Sequence, residues 1–201
     1  MEVQLSTMFF FFISTAVLQA STTSGQAFPP TSDDTDYIRT CCETTRYPET
    51  CFTTLSNYSG SIQHDPYRLA MVAIHVALQN ATHMANYVSN ISLQVGSSNT
   101  TESAAINDCS SVFGDAVDQI HKSQIEMRRL GWTGESLRFQ LSNVQTWMSA
   151  ALTNEDTCMD GFEGVAADDV KADVCDRVVA VKEVTSNALA LVNRYAYTIA
   201  A

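Results

Sequence analysis

Basic residues are scarce in this chain. Its 201 residues include 11 Lys and Arg against 22 Asp and Glu, which gives a formal net charge of −11 at pH 7. Nucleic acids and anionic membranes bind proteins through basic patches, so this balance argues against both as partners. An acidic surface favours a basic protein partner or serves solubility alone, and charge does not decide between the two.

The motifs of common catalytic and metal sites are also absent. The chain has no Gly-x-Ser-x-Gly, no glycine-rich phosphate loop, no His-Glu-x-x-His and no Cys-x-x-Cys pair. The histidines are His64, His75, His83 and His121. Their positions on the predicted helices favour exposed side chains over metal ligands. We therefore expect no metal and no cofactor.

One cluster of carboxylates needs separate consideration. It consists of Glu155, Asp156, Asp160 and Glu163. Paired carboxylates can hydrolyse glycosides, but that chemistry requires two groups that face each other across a cleft. A single solvated helix face supplies neither, so the sequence does not favour an enzyme.

No hydrophobic run is long enough to cross a membrane. The N-terminal run MFFFFISTAVL covers residues 8–18, whereas a membrane-spanning helix needs about 20 apolar residues. Small-residue cleavage sites follow after Ala20 or Ala27, so we interpret residues 1–25 as a secretory signal peptide, although Lys and Arg are missing before the run. We expect a secreted protein with a mobile arm at residues 26–33 and one domain at 34–201.

Strand signals are nearly absent, because the chain has neither a period-two run nor an Asn-Gly hairpin turn. Apolar residues instead recur every three or four positions in four long segments, which is typical of helices with one buried face. The predicted helices run from Pro66 to Val95, from Thr100 or Thr101 to Arg129, from about Leu137 to Phe162, and from Asp169 to Tyr195. We predict an all-α antiparallel four-helix bundle over residues 65–199.

Residues 34–58 are expected to form two short helices with a turn between them. Proline at position 48 suits the first turn of the second helix. Cys42 and Cys51 lie on either side of the turn, and closing a loop of about ten residues stabilises the fold by roughly 2.7 kcal/mol. The segment is therefore predicted to be a disulfide-stapled helical hairpin. Spacing alone leaves Cys41 as an alternative to Cys42.

Two further cysteines, Cys109 and Cys158, lie on the apolar stripes of consecutive helices. A bridge between them closes a loop of about fifty residues, which is worth roughly 4 kcal/mol. Cys41 and Cys175 then remain. We interpret Cys175 as a half-buried free thiol, while a bridge between Cys41 and Cys175 stays open as an alternative.

Four Asn-x-Ser/Thr sequons agree with an extracellular protein. The acceptor residues are Asn57, Asn80, Asn90 and Asn99. We expect only some to carry a glycan, with Asn99 the best candidate because its surroundings are a Ser/Asn/Thr loop.

The third predicted helix contains a polar interruption. Its apolar stripe continues through Ala151 to Cys158, but the position between them is Glu155. Either the helix turns its polar side outward there or a polar group is held inside the bundle, and we favour the former. Trp147, on the same helix, is interpreted as a core residue.

These segments resemble the plant invertase and pectin methylesterase inhibitor family. The hairpin from Cys42 to Cys51 matches the pattern Cys-x-x-Thr-x-Tyr-Pro-x-x-Cys. The similarity continues at residues 108–117, 146–162 and 185–191, so it covers about residues 36 to 196. The resemblance implies disulfides Cys42–Cys51 and Cys109–Cys158, an unpaired Cys175, and inhibition of a secreted carbohydrate-active enzyme through its active-site cleft. Cys41 departs from the family pattern.

Within this family, the resemblance favours a pectin methylesterase as the target. Segment 136–140 reads Ser-Leu-Arg-Phe-Gln and lacks the Pro-Lys-Phe motif of cell-wall invertase inhibitors. An invertase is the alternative partner. We expect a free-standing, monomeric inhibitor in the apoplast or cell wall, since no catalytic domain follows residue 201.

The residues expected to touch the target are Asn154, Thr157 and Asp160, which lie beside the motif of the third helix. The competing interpretation is that Thr157 and Asp160 only cap or solvate their own helix.

Overall fold

The computed structural model describes residues 32–95, 100–131, 134–166 and 168–200, and regular structure in these ranges is entirely helical. The helices are α1 (Ser32–Cys42), α2 (Pro48–Leu55), α3 (Ser59–Ile62), α4 (Pro66–Val95), α5 (Thr101–Arg128), α6 (Gly134–Gly161) and α7 (Asp169–Ala200). A single 3₁₀ turn, Ser56–Tyr58, joins α2 to α3. The predicted signal peptide and most of the predicted arm lie outside the described residues.

Side-chain caps fix where the long helices begin. The Asp65 carboxylate accepts the backbone N–H of Tyr67 at 2.8 Å, which starts α4. Thr100 and Ser103 form a reciprocal capping box at the start of α5. Asp168 accepts the N–H of Lys171 at 2.8 Å and so starts α7. The predicted starts of α4, α5 and α7 agree with these caps.

The third helix begins earlier than the sequence predicts. Its first residue is Gly134 instead of Leu137, and Gly134 has a φ of +85°. Glycine adopts such left-handed backbone conformations without steric cost, so it can turn the chain directly into the helix.

Helices α4 to α7 form an antiparallel bundle in which each helix packs against two neighbours. The pairing of α6 with α7 shows the direction, since Gln145 bonds to Asn193 while Glu155 bonds to Thr185. The predicted four-helix bundle is confirmed. The stripe residues of all four helices meet along its axis, with Phe113, Ile120, Met148 and Val178 among the fully buried members.

The interpretation of Trp147 as a core residue is wrong. Trp147 is half-buried, because it precedes the stripe residue Met148 by one position and so lies on the flank of the helix. Val170, the first apolar residue of the predicted fourth helix, is 37% exposed. It lies in the first turn of α7, next to the loop, where fewer neighbours cover it.

The N-terminal hairpin packs on α7 and on the first part of α4. The guanidinium of Arg39 on α1 lies over the Phe52 ring of α2, 3.7 Å from its centroid. The two predicted helices are present, and the short helix α3 follows them. Gln63 and His64, with φ values of 49° and 58°, then turn the chain into α4.

Candidate functional site

The residues expected to touch a partner lie in the C-terminal half of α6. Thr157 and Asp160 are exposed and Asn154 is half-buried. The side-chain amide of Asn154 donates to the side-chain oxygen of Gln119 on α5 at 3.0 Å, so it also joins two helices. The Thr157 hydroxyl donates to the Thr153 carbonyl at 2.8 Å. Thr157 and Asp160 are thus available to a partner, while Asn154 is partly committed to the fold.

Thr157 belongs to an exposed row of hydroxyl side chains that the sequence analysis missed. This hydroxyl row consists of Ser142, Thr146, Ser149, Thr153 and Thr157, all exposed. Its spacing of three and four residues places it along one side of α6. The threonine hydroxyls donate to carbonyls one turn back, for example Thr146 to Ser142 at 2.8 Å. The result is a narrow, uncharged helix face without long side chains, and its spacing could have been read from the sequence.

Glu155 is held inside the bundle, so the preferred interpretation of the interrupted stripe is wrong. Its side chain is fully buried, and one carboxyl oxygen accepts the Thr185 hydroxyl of α7 at 2.8 Å. Oε2 is buried without a hydrogen-bond partner. Burial raises the pKa of Glu155 to about 8, although the Thr185 bond and the charge of Lys182 oppose that rise. The carboxyl is therefore neutral in acidic solution.

An ion pair covers Glu155 on the surface between α6 and α7. Lys182 of α7 binds Asp156, the residue next to Glu155. Thr185 and Lys182 lie three residues apart, so one turn of α7 contacts both acidic residues of α6. The helix that carries the candidate residues is thereby fixed to α7 at their level.

Asn187, two residues after Thr185 on α7, holds the hairpin. It is buried, its side-chain oxygen accepts the Tyr47 N–H at 3.2 Å, and its amide donates to the Tyr47 carbonyl at 2.9 Å. Thr50 adds a hydrogen bond to Glu183 at 2.6 Å. The segment 185–191, quoted above for its resemblance, thus supplies polar cross-links to both α6 and the hairpin.

Two disulfides staple the fold. Cys42 and Cys51 are bonded across the hairpin, and Cys109 and Cys158 join α5 to α6, with Cα atoms 5.6 and 4.3 Å apart. Cys41 is a buried free thiol. These are the pairs that the resemblance implies, and the register with Cys41 in the hairpin bridge is not adopted.

Cys175 is a half-buried free thiol at the junction of α6 and α7. It lines a cavity of about 250 Å³ together with Asp160 and Lys171. Burial raises the pKa of the thiol, and the charge of Lys171 opposes that rise. Lys171 itself donates to the Val165 carbonyl at 2.8 Å and holds the turn after α6.

Charge is distributed unevenly along the bundle. Acidic residues dominate the end formed by the start of α5, the end of α6 with its turn, and the start of α7 with its cap. They are Glu102, Asp108, Asp156, Asp160, Glu163, Asp168, Asp169, Asp173 and Asp176. Arginines gather at the opposite end, where α5 ends and α6 begins. They are Arg68, Arg128, Arg129, Arg138 and Arg194. Asp160 and Thr157 lie at the acidic end.

The remaining predicted positions show no site chemistry. All four histidines are exposed, and the described residues contain no cluster of His, Cys, Asp and Glu that could hold a metal ion. Within the described ranges, no helix is apolar enough over sufficient length to span a membrane.

The sequons differ in accessibility. Asn57 and Asn90 are exposed, whereas Asn80 is half-buried on α4. The side-chain amide of Asn80 donates to the Val76 carbonyl at 2.8 Å. Asn99 lies outside the described residues. Geometry therefore favours Asn57 and Asn90 over Asn80 as glycan acceptors.

Comparison with known proteins agrees with the fold and the motifs. A family model described as plant invertase/pectin methylesterase inhibitor matches residues 36–191. Pectinesterase inhibitor 9 of Arabidopsis thaliana is 38% identical over 200 residues, covering 98% of this chain and 96% of that protein. The 21 kDa protein of Daucus carota is 42% identical over 162 residues, covering 80% of this chain and 83% of that protein. A crystal structure of a mutant form of an Arabidopsis pectin methylesterase inhibitor has a TM-score of 0.62 at 18% identity, covering 78% of this chain and 95% of that one.

Proposed function

This chain belongs to the plant invertase/pectin methylesterase inhibitor family, and from that premise we propose that it inhibits a pectin methylesterase by binding its active-site cleft about one to one. The family match carries the proposal, because it spans the hairpin and nearly all of the four-helix bundle. In this function the chain is a protein ligand that blocks an enzyme and catalyses no reaction itself.

Two observations favour an esterase over an invertase as the target. The Arabidopsis relative that matches almost the whole chain is named as a pectinesterase inhibitor. In addition, segment 136–140 at the start of α6 lacks the Pro-Lys-Phe motif associated above with cell-wall invertase inhibitors. Inhibition of invertase is therefore kept as an outcome of the test.

The rigidity of α6 supports its use as a binding element. It is tied to α5 by the Cys109–Cys158 bridge and to α7 by Glu155 and Asp156. A surface that is already ordered loses little conformational entropy when it binds, so more of the contact energy appears as affinity.

The hydroxyl row suits insertion into a cleft. Small side chains let the backbone of α6 approach a partner closely, and hydroxyl groups can pair with polar groups of an esterase cleft that would otherwise lose water. The row ends at Thr157, and the exposed Asp160 continues this face toward the acidic end. A stable one-to-one complex buries about 800 Å² on each partner, which a helix of this length and its neighbours can supply.

Secretion into the apoplast completes the proposal, since a pectin methylesterase of the cell wall is found there. The predicted signal peptide, the two disulfides and the exposed sequons at Asn57 and Asn90 support it.

The first test is an inhibition assay with the purified domain, a pectin methylesterase and an invertase. We expect demethylesterification of pectin to fall to zero near equimolar inhibitor and sucrose hydrolysis to be unaffected. Inhibition of invertase alone would identify the protein as an invertase inhibitor. A null result in both assays would refute an inhibitory function, and turnover of pectin by the domain alone would indicate an enzyme.

The binding face is tested with long charged substitutions in the hydroxyl row. Thr153→Arg and Thr157→Arg should raise the inhibition constant at least about tenfold, because each places a long cation at the centre of the interface. Thr198→Arg is the matched control, since Thr198 is also exposed and back-bonded to its own helix, but at the far end of α7. Unchanged inhibition by both variants would exclude this face.

A further inference from the structure

A cavity of about 430 Å³ lies at the arginine-rich end of the bundle, away from the proposed binding face. Four helix ends meet there: α4 and α6 begin, and α5 and α7 end. The side chains of Tyr67, Met127, Leu137, Tyr195 and Ile199 line it. Small-molecule pockets have volumes of roughly 300–1,000 Å³ and mostly apolar walls with a few polar groups, so this cavity falls within that class.

Hydrogen bonds and ring packing preform the walls. The Tyr67 hydroxyl donates to the Met127 carbonyl at 3.1 Å, which joins the start of α4 to the end of α5. The Tyr67 and Tyr195 rings pack with centroids 5.6 Å apart. These contacts connect three of the helices around the opening.

The loop at the rim is held in the same way. The Gln140 side chain accepts the Gly131 N–H at 2.8 Å and donates to the Arg129 carbonyl at 3.0 Å. Leu130, between these two residues, lines the cavity together with Gly131. The described part of the rim therefore needs no rearrangement to admit a ligand.

The polar group at the opening is a cation. Arg128 lines the cavity and is exposed. Burial raises the pKa of Tyr67, and the charge of Arg128 opposes that rise, so the guanidinium lies within electrostatic reach of the phenol. The neighbouring Arg129 and Arg138 add positive charge at this end of a chain whose net charge is −11. Besides burial, the Asp65 charge raises the pKa of both Tyr67 and Tyr195. Glu126 and Glu135 lie at this end as well, so the anion-binding group of the cavity is Arg128 itself and not a general positive field.

We propose that this cavity binds a small amphiphilic anion, with an aromatic body between Tyr67, Leu137, Tyr195 and Ile199 and an acidic head group at Arg128. Aromatic walls favour a planar ring, since rings pack on tyrosine in offset or tilted geometry. A guanidinium binds a carboxylate or sulfonate through charge-assisted hydrogen bonds.

The site is independent of the proposed inhibition. Leu137 belongs to the buried stripe of α6, whereas Ser142, the nearest member of the hydroxyl row, is exposed five positions farther on, about 7.5 Å along the helix axis. The cavity and the hydroxyl row thus lie on different sides of α6, so failure of one proposal does not imply failure of the other.

The test uses 8-anilinonaphthalene-1-sulfonate, a fluorescent aromatic sulfonate, with the folded protein. We expect saturable binding at one site per chain. Ile199→Trp fills the cavity and should weaken binding more than about tenfold. Arg128→Gln removes the cation and should weaken binding about fivefold, the range of a solvent-exposed ion pair. Amide shifts in NMR spectra should map to Tyr67, Leu137 and Tyr195.

Arg129→Gln is the matched control, because it makes the same charge change one residue away without altering the lining. It should leave the affinity within about twofold, as expected for a screened charge. The neutral analogue N-phenyl-1-naphthylamine should bind the wild type and Arg128→Gln equally. Circular dichroism checks the folding of each variant. Absence of saturable binding to the wild type, or equal binding by Ile199→Trp, would overturn the proposal.

Discussion

At the scale of single residues, Glu155 is the most unusual position in the molecule. Among the described residues, no other charged side chain is fully buried. Burying an ionised carboxylate is costly unless it is fully paired, and Oε2 has no partner. The protein avoids this cost by keeping the proton, which is why the pKa rises to about 8.

This raised pKa predicts a specific dependence of stability on pH. The folded state holds a proton between about pH 4.5 and 8 that the unfolded state releases, so the free energy of unfolding falls as pH rises through this window. Over the steep part the slope is about 1.4 kcal/mol per pH unit. Glu155→Gln should remove this slope, because glutamine stays neutral and can still accept the Thr185 hydroxyl. Urea unfolding between pH 5 and 8 measures both proteins.

Glu163→Gln serves as the control, since Glu163 is an exposed carboxylate shortly after α6. It should shift the unfolding midpoint slightly and equally at each pH. Parallel stability curves for the wild type and Glu155→Gln would show that Glu155 is ionised in the folded protein.

The two free thiols give a second prediction at this scale. Cys41 is 1% exposed, whereas Cys175 is half-buried beside a surface cavity. N-ethylmaleimide should therefore label Cys175 slowly in the native protein, because burial also raises its thiol pKa. Cys41 should be labelled only after unfolding. Peptide mass mapping distinguishes the sites. Native labelling of Cys41 would contradict its burial, and labelling of Cys42 in place of Cys41 after unfolding without reductant would contradict the assigned disulfide register.

At the scale of helices, α7 organises the molecule through two polar contacts. Thr185 bonds to Glu155 of α6, and Asn187 bonds to both backbone groups of Tyr47 in the hairpin. One helical segment thus fixes the binding helix on one side and the stapled hairpin on the other. The disulfide closes the hairpin on itself, but Asn187 is what attaches its turn to the bundle.

Asn187→Ala should therefore release the hairpin without unfolding the bundle. It leaves the part-buried N–H of Tyr47 without a partner, at a cost of about 1–3 kcal/mol, while the Tyr47 carbonyl keeps only the Cys51 N–H. Trypsin cleavage after Arg46, next to this turn, should accelerate accordingly. The control Asn193→Ala removes an exposed hydrogen bond to Gln145 and should change stability by less than about 0.5 kcal/mol. Equal cleavage rates for both variants would show that the hairpin is held by other contacts.

The helices could be predicted from sequence because their signals are local. The caps at Asp65, Thr100 and Asp168 act within three residues, and the apolar stripes repeat within one or two turns. Most stripe positions are accordingly buried. Trp147 is the exception: its size suggests burial, but its position in the helical repeat, one residue before Met148, places it on the flank of α6.

The environment of Glu155 could not be read from the sequence in the same way. A carboxylate in an apolar stripe fits either a local turn outward or a buried hydrogen bond, and its partner Thr185 is thirty residues away. The hydroxyl row was visible as a spacing pattern, but its exposure depends on which flank of α6 faces α5 and α7. Pairing between helices decides both features.

At the scale of the whole molecule, the bundle is electrically polar. Its acidic end carries Asp160 and Thr157 of the proposed binding face, and its other end carries most of the arginines. A charge distribution of this kind orients a protein during approach to an oppositely charged partner and raises the association rate at low salt. If the inhibitor binds a basic surface around the esterase cleft, the acidic end should arrive first.

This polarity predicts an asymmetric effect of charge removal on the kinetics of esterase binding. The double variant Asp160→Asn and Glu163→Gln should slow association about threefold at low ionic strength and leave dissociation nearly unchanged, because rim charges act mainly on encounter. Arg128→Gln with Arg129→Gln removes as many charges at the far end and should not slow association. Stopped-flow measurements at 20 and 300 mM salt, where the Debye length is about 20 Å and about 6 Å, separate steering from contact. A rate insensitive to salt, or equally slowed by the arginine variants, would mean that the complex is oriented by shape and that the acidic end serves solubility.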